Sequence, residues 1–110
     1  MPSDRDAAAR AFAALVNLTA DELEAWLETE ESRRVGQKKD GAEESIGRAA
    51  GRRTVALLRT PAEARGEEDY RHMRRVVGFI RRHRAQEPAN MVTSRWRYAL
   101  MNWGHDPLRG

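Results

Sequence analysis

The sequence predicts an all-α protein, a single compact bundle of about five helices formed by residues 1–110. Three observations carry that expectation. Apolar residues recur at spacings of three and four in five separate stretches; a capping residue, proline or glycine punctuates those stretches; and no alternating apolar–polar run competes with them. The adjacent valines Val76 and Val77 lie inside a helical period of 17 residues from Tyr70 to Gln86. No internal repeat is present, and 110 residues suit one domain with a modest core.

The first helix is expected from about Asp6 to Val16, with Ala8, Ala11, Phe12 and Leu15 on one face. Asn17 and Leu18 break it. Thr19 and Glu22 form a capping box that opens a second helix, Ala20 to about Glu30. Its stripe of Leu23, Trp26 and Leu27 is narrow, and Glu22, Glu24 and Glu28 make the rest an acidic wall. Residues 31–44 are polar, with Gly36 and Gly41 around Lys38, Lys39 and Asp40, and are expected to form a long extended loop. Loops of that length more often serve function than simple connection.

Ser45 caps a third helix reaching about Thr60, where Pro61 stops it. Its inner arc is Ile46, Ala50, Thr54 and Leu57, and Arg48, Arg52 and Arg59 fall together on the far side. After a linker from Pro61 to Gly66, Glu67, Glu68 and Asp69 place negative charge where a helix N-terminus favours it. The fourth helix that begins there runs to about Pro88. Thr93 or Ser94 caps a last short helix with Trp96, Ala99, Leu100 and Trp103 inward, and Gly104 ends it.

The fourth helix is the most informative stretch. Six arginines lie between Tyr70 and Gln86 without one acidic residue. Tyr70, Met73, Val76, Val77, Phe79 and Ile80 form its apolar arc, while Arg71, Arg74, Arg75, Arg81 and Arg82 gather opposite, with Gly78 in their midst. That strip extends along roughly 25 Å of helix. Charge is also uneven along the chain: residues 1–47 hold six Lys/Arg against eleven Asp/Glu, and residues 48–110 hold fourteen against six. The two halves either neutralise each other on folding or leave a basic surface beside an acidic flank.

Other chemistries find little support. The absence of cysteine excludes a disulfide framework and thiolate catalysis and fits a reducing compartment. No apolar stretch approaches the roughly 18 residues of a membrane span, so a cytoplasmic protein without membrane contact is expected. His72 and His83 stand about 16 Å apart along their helix, too far to share an ion, and His105 is isolated beside Asp106. The four serines lack a nucleophile-elbow setting. No enzyme activity, metal or cofactor is expected. Gly47 and Gly51 form a GxxxG step that reads as close approach of another helix before a phosphate backbone.

The expected partner is DNA, or RNA by the same phosphate chemistry, held in a largely sequence-tolerant way. The candidate contacts are Arg48, Arg52, Arg53 and Arg59 of the third helix, Arg71, Arg74, Arg75, Arg81 and Arg82 of the fourth, and Arg95 and Arg97 of the last. Tyr98 and Asn102 are candidates for base contact, and Lys38 and Lys39 for auxiliary contacts. A DNA-binding role would associate the protein with the nucleoid. The alternative is a protein-interaction module that meets an acidic partner or forms a homodimer. The bland reading gives the arginines to Glu24, Glu28, Glu30 and Glu31, so whether Gly78 faces solvent or the acidic helix decides between surfaces.

Thr93-Ser-Arg-Trp-Arg-Tyr-Ala-Leu-Met-Asn-Trp-Gly-His-Asp-Pro-Leu-Arg109 resembles the ending of DUF3140, a small bacterial family of unknown function. Asn17-Leu-Thr-Ala-Asp-Glu-Leu-Glu-Ala-Trp-Leu27, Glu44-Ser-Ile-Gly47 leading to Gly51-Arg-Arg53, and Tyr70-Arg-His-Met-Arg-Arg-Val-Val-Gly78 resemble its other recurring blocks. The resemblance implies a DNA-binding label and transfers no catalytic residue. Ala50 stands where similar members often have serine. Leu18-Thr-Ala-Asp-Glu-Leu-Glu-Ala-Trp-Leu27 with the following loop also resembles helix-extended-loop-helix DNA-binding modules of the SAP kind, whose loop is shorter.

Overall fold

The computed structural model describes residues 3–36, 44–90 and 94–109. Its chain folds into six α-helices and one 3₁₀ turn, with no strand among the described residues. The Ser3 hydroxyl accepts from the Asp6 amide, and the Asp6 carboxylate accepts from the Ser3 amide. This reciprocal cap starts α1 (Asp4–Leu15) two residues before the expected point. Thr19 and Glu22 close the expected box and open α2 (Ala20–Leu27).

The long loop needs correction. α2 stops at Leu27, and the Thr29 hydroxyl donates to the Trp26 carbonyl at 2.7 Å while accepting from the Ser32 amide at 3.2 Å. One side chain thus ends α2 and starts a one-turn helix, α3 (Glu30–Arg33). Ser32 and Val35 are buried there. The SAP-like expectation of an extended segment after α2 fails at the same place. Residues 37–43, with Lys38 and Lys39, lie outside the described residues.

Ser45 accepts from the Arg48 amide and opens α4 (Ile46–Leu58). Past the 3₁₀ turn Ala62–Ala64, the Asp69 carboxylate accepts from the Gly66 amide at 2.9 Å at the start of α5 (Glu67–Arg84). Ser94 accepts from the Arg97 amide to start α6 (Arg95–Asn102); its rival Thr93 lies outside the described residues.

α1 lies along α5 and α2 along α4, while α6 touches α2, α3, α4 and α5. Phe12, Met73, Val76, Ile80, Leu100 and Trp103 belong to the larger core cluster, and Leu18, Leu23, Leu27 and Val55 form a second. α4 joins the two through Leu57 and Val55. Full burial of each aliphatic side chain contributes about 1.5–3 kcal/mol, which explains why such short helices persist. No helix among the described residues is long and apolar enough to cross a membrane.

The glycines of α4 permit the tight central packing. A Cβ on Gly51 would run into the Asn102 carbonyl oxygen, and one on Gly47 would lie 3.0 Å from Trp103 Nε1. Helix contact is therefore what the GxxxG step provides. At the end of α6, Gly104 takes φ +97°, and its carbonyl accepts from the Asn17 and Leu18 amides. Asn17 Nδ2 donates to the Asp106 carbonyl, and the Asp106 amide donates to Asn17 Oδ1. The C-terminal segment is thereby clasped to the α1–α2 turn.

Candidate nucleic-acid interface

The expected basic strip of the third predicted helix, now α4, does not stand as a free surface. Arg48 is 8% exposed. It donates to the Leu27 carbonyl and the Ser32 hydroxyl and pairs with Glu44 at 2.7 Å. Arg52 reaches Glu44 at 2.7 Å and Glu28 at 3.7 Å. Arg59 bridges Asp21 at 2.8 Å and Glu24 at 3.1 Å. These contacts follow from α2 lying along α4, which brings the acidic wall against this basic face. Arg59 holds the Glu24 carboxyl below its ordinary range through a hydrogen bond.

The rest of that wall is also engaged. Arg109 donates to both oxygens of Glu22 at 2.7 and 2.8 Å, and with the Thr19 amide it lowers Glu22 to about 2. Glu28 also holds Arg33 at 3.2 Å. Exposed pairs of this kind add little stability each. Their value here is geometric, because they fix where the negative charge of α2 points.

On α5 the arrangement differs. Arg71 pairs with Glu68 at 3.3 Å, but Arg74, Arg75, Arg81 and Arg82 are exposed and pair with no carboxylate among the described residues. A Cβ at Gly78 would meet only the Arg82 guanidinium, at 3.1 Å. Gly78 therefore sits beneath its own helix's arginine and away from Glu24 and Glu28. Arg75 lies over the Trp103 ring, 5.2 Å from its centroid. Arg53 joins this surface from α4, lining with Arg75 a recess of about 370 Å³. Arg71 lies three and four residues from Arg74 and Arg75, spacings at which like charges repel by a few tenths of a kcal/mol per pair, and among the described residues no carboxylate pairs with Arg74 or Arg75.

Two candidates on α6 fall differently from expectation. Arg97 is turned back onto Asp106 in a two-pronged pair, both bonds 3.1 Å. Burial, the largest influence on Asp106, would raise its carboxyl, but Arg97 and the Leu108 amide together bring it below its usual value. Asn102, expected to face outward, is 1% exposed. Its Oδ1 accepts from Trp26 Nε1 at 2.7 Å and from the Ser32 hydroxyl at 2.6 Å, and its Nδ2 donates to the Ser32 carbonyl. Tyr98 packs against Trp26 with ring centroids 5.4 Å apart. Arg95 stays exposed and donates to the Arg34 carbonyl.

Between α4, α5 and α6 opens a cleft of about 760 Å³ that the sequence did not disclose. Arg75, Arg82 and Arg95 line it, and among the described residues no carboxylate does. Phe79 and Trp103 stack on one of its sides at 4.4 Å and 13°, and His83 stacks on Phe79 at 5.0 Å. The i,i+4 spacing of Phe79 and His83 was the available signal; the partner ring on α6 had none.

The histidines serve the interior. His72 Nε2 lies 2.9 Å from Thr54 Oγ1, whose proton goes to the Ala50 carbonyl, so the imidazole donates. Burial first, then the charges of Arg53 and Arg75, push His72 down to about 4. His105 donates through Nδ1 to the Leu15 carbonyl at 2.6 Å and accepts from Arg84 at Nε2. Burial lowers His83 as well, and its Nε2 is buried without a hydrogen-bond partner among the described residues. Among the described residues no group of three His, Cys, Asp or Glu side chains could hold a metal ion.

Fold and site together define a small all-helical protein whose α5 carries an arginine face with four members unpaired with carboxylate among the described residues. The family model described as "Protein of unknown function (DUF3140)" matches residues 11–101, and the chain belongs to that family. No curated protein and no solved structure matches the chain.

Proposed function

We propose that the protein binds DNA through the phosphate backbone, using Arg71, Arg74, Arg75, Arg81 and Arg82 of α5 with Arg53 of α4 beside them. The observation that carries this reading is the division of charge. The carboxylates of α2 are spent on Arg52, Arg59 and Arg109, whereas Arg74, Arg75, Arg81 and Arg82 have no carboxylate partner among the described residues. A polyanion laid along this strip relieves the repulsion and releases its own counterions. Contacts of this kind hold phosphates and carry little sequence information. RNA presents the same backbone charge, and a cytoplasmic, nucleoid-associated location would follow from the DNA reading.

Because Arg52 and Arg59 are held by Glu44, Glu28, Asp21 and Glu24, they are secondary contacts at most, and Arg48 and Arg97, tied to Glu44 and Asp106, act as structural residues. An acidic protein surface would meet the same strip and is the alternative. Self-association through an apolar face has less behind it, since Leu108 is the one exposed large hydrophobic residue among those described. Fluorescence anisotropy with a labelled duplex tests the proposal. Replacing Arg74, Arg75, Arg81 and Arg82 with glutamine should abolish binding while replacing Arg52 and Arg59 should barely weaken it. A wild-type protein that ignores duplex at low salt would overturn the reading.

A further inference from the structure

We propose that the cleft between α4, α5 and α6 receives one unpaired nucleotide, so that a strand with accessible bases gains a contact that intact duplex lacks. The inference rests on the nucleic-acid reading of α5. Continuity is the first argument: Arg75 and Arg82 belong both to the exposed strip and to the cleft lining, so a backbone following the strip passes the opening. Size is the second. A volume of about 760 Å³ lies in the range of small-ligand sites, and a base turned out of its stack can enter where a base pair cannot.

Chemistry is the third argument. Arg75, Arg82 and Arg95 supply charge for the phosphate, and no carboxylate among the described residues lines the cleft to oppose it. Trp103, itself stacked on Phe79, supports the Arg75 guanidinium from beneath at 5.2 Å. A planar guanidinium seated over a ring can offer its other face to a base, as aromatic rings do. Gly47 also lines the cleft, packed against Trp103, and brings backbone there without a side chain.

The test compares three probes of equal length at one salt concentration: a thymidine strand, the same strand carrying abasic sites, and a duplex. The thymidine strand should bind about tenfold more tightly than the abasic strand, the worth of one stacked base. Ala99 lines the cleft and carries no charge, so Ala99→Met should fill the space and erase that preference while duplex affinity stays unchanged. Equal affinity for thymidine and abasic strands overturns the cleft proposal and leaves the α5 reading intact, as does a full base preference retained in Ala99→Met. Failure of all three probes to bind even at low salt overturns the α5 reading itself.

Discussion

His72 illustrates how a single buried side chain sets a property of the whole fold. Its folded value of about 4 lies below the ordinary 6.5, so between those values the unfolded chain binds the extra proton. Stability is therefore complete above pH 6.5 and falls as the pH drops toward about 4, by on the order of 3 kcal/mol. His83 and His105, also lowered by burial, act in the same direction. His72→Gln should flatten much of that slope in urea unfolding across the same window. Asn102 is the second decisive residue. Asn102→Ala would leave the Trp26 indole N–H and the Ser32 hydroxyl without their acceptor, and a loss of about 3 kcal/mol is expected from unmet bonds worth about 1–3 kcal/mol each. A double-mutant cycle with Ser32→Ala checks that the two share one network.

At the scale of elements, two glycines make opposite predictions for one substitution. Gly51→Ala drives a methyl against the Asn102 carbonyl, and overpacking of about 1–3 kcal/mol outweighs a helix-propensity gain of about 1 kcal/mol. Gly78→Ala meets only the flexible tip of Arg82, so it should stabilise α5 by about 0.5–1 kcal/mol. Urea midpoints of the two variants, moving apart on either side of wild type, provide the check. Helix starts were legible in the sequence because Thr19, Ser45 and Ser94 announce them chemically. α3 was not, because four residues carry no period and its capping Thr29 looked like the interior of a longer helix. The wheel correctly gathered Arg48, Arg52 and Arg59, yet it could not say that α2 would cover them. A helical wheel orders faces around one axis and contains nothing about neighbours. Asn102 was misread for the same reason, since its three hydrogen-bonded contacts come from residues about 70 or more positions away.

For the molecule as a whole, folding partly cancels the uneven charge of the sequence and concentrates what remains. The acidic first half meets the basic second half through α2 on α4 and through Arg109 on Glu22. Among the described residues, the α5 strip stays without carboxylate partners at Arg74, Arg75, Arg81 and Arg82, with Arg53 beside it and the arginine-lined cleft at its flank. The most direct measurement of that account is the dependence of duplex affinity on salt. At about −0.9 for each phosphate neutralised, the four unpaired arginines of α5 contribute roughly −3.6 to the slope of log K against log salt, and Arg53 and Arg71 add to it. The Arg74, Arg75, Arg81 and Arg82 glutamine variant should flatten the slope by about that amount, and the Arg52 and Arg59 variant should leave it nearly unchanged. A slope lost equally in both variants, or affinity indifferent to salt in the wild-type protein, would contradict the assignment of binding to α5.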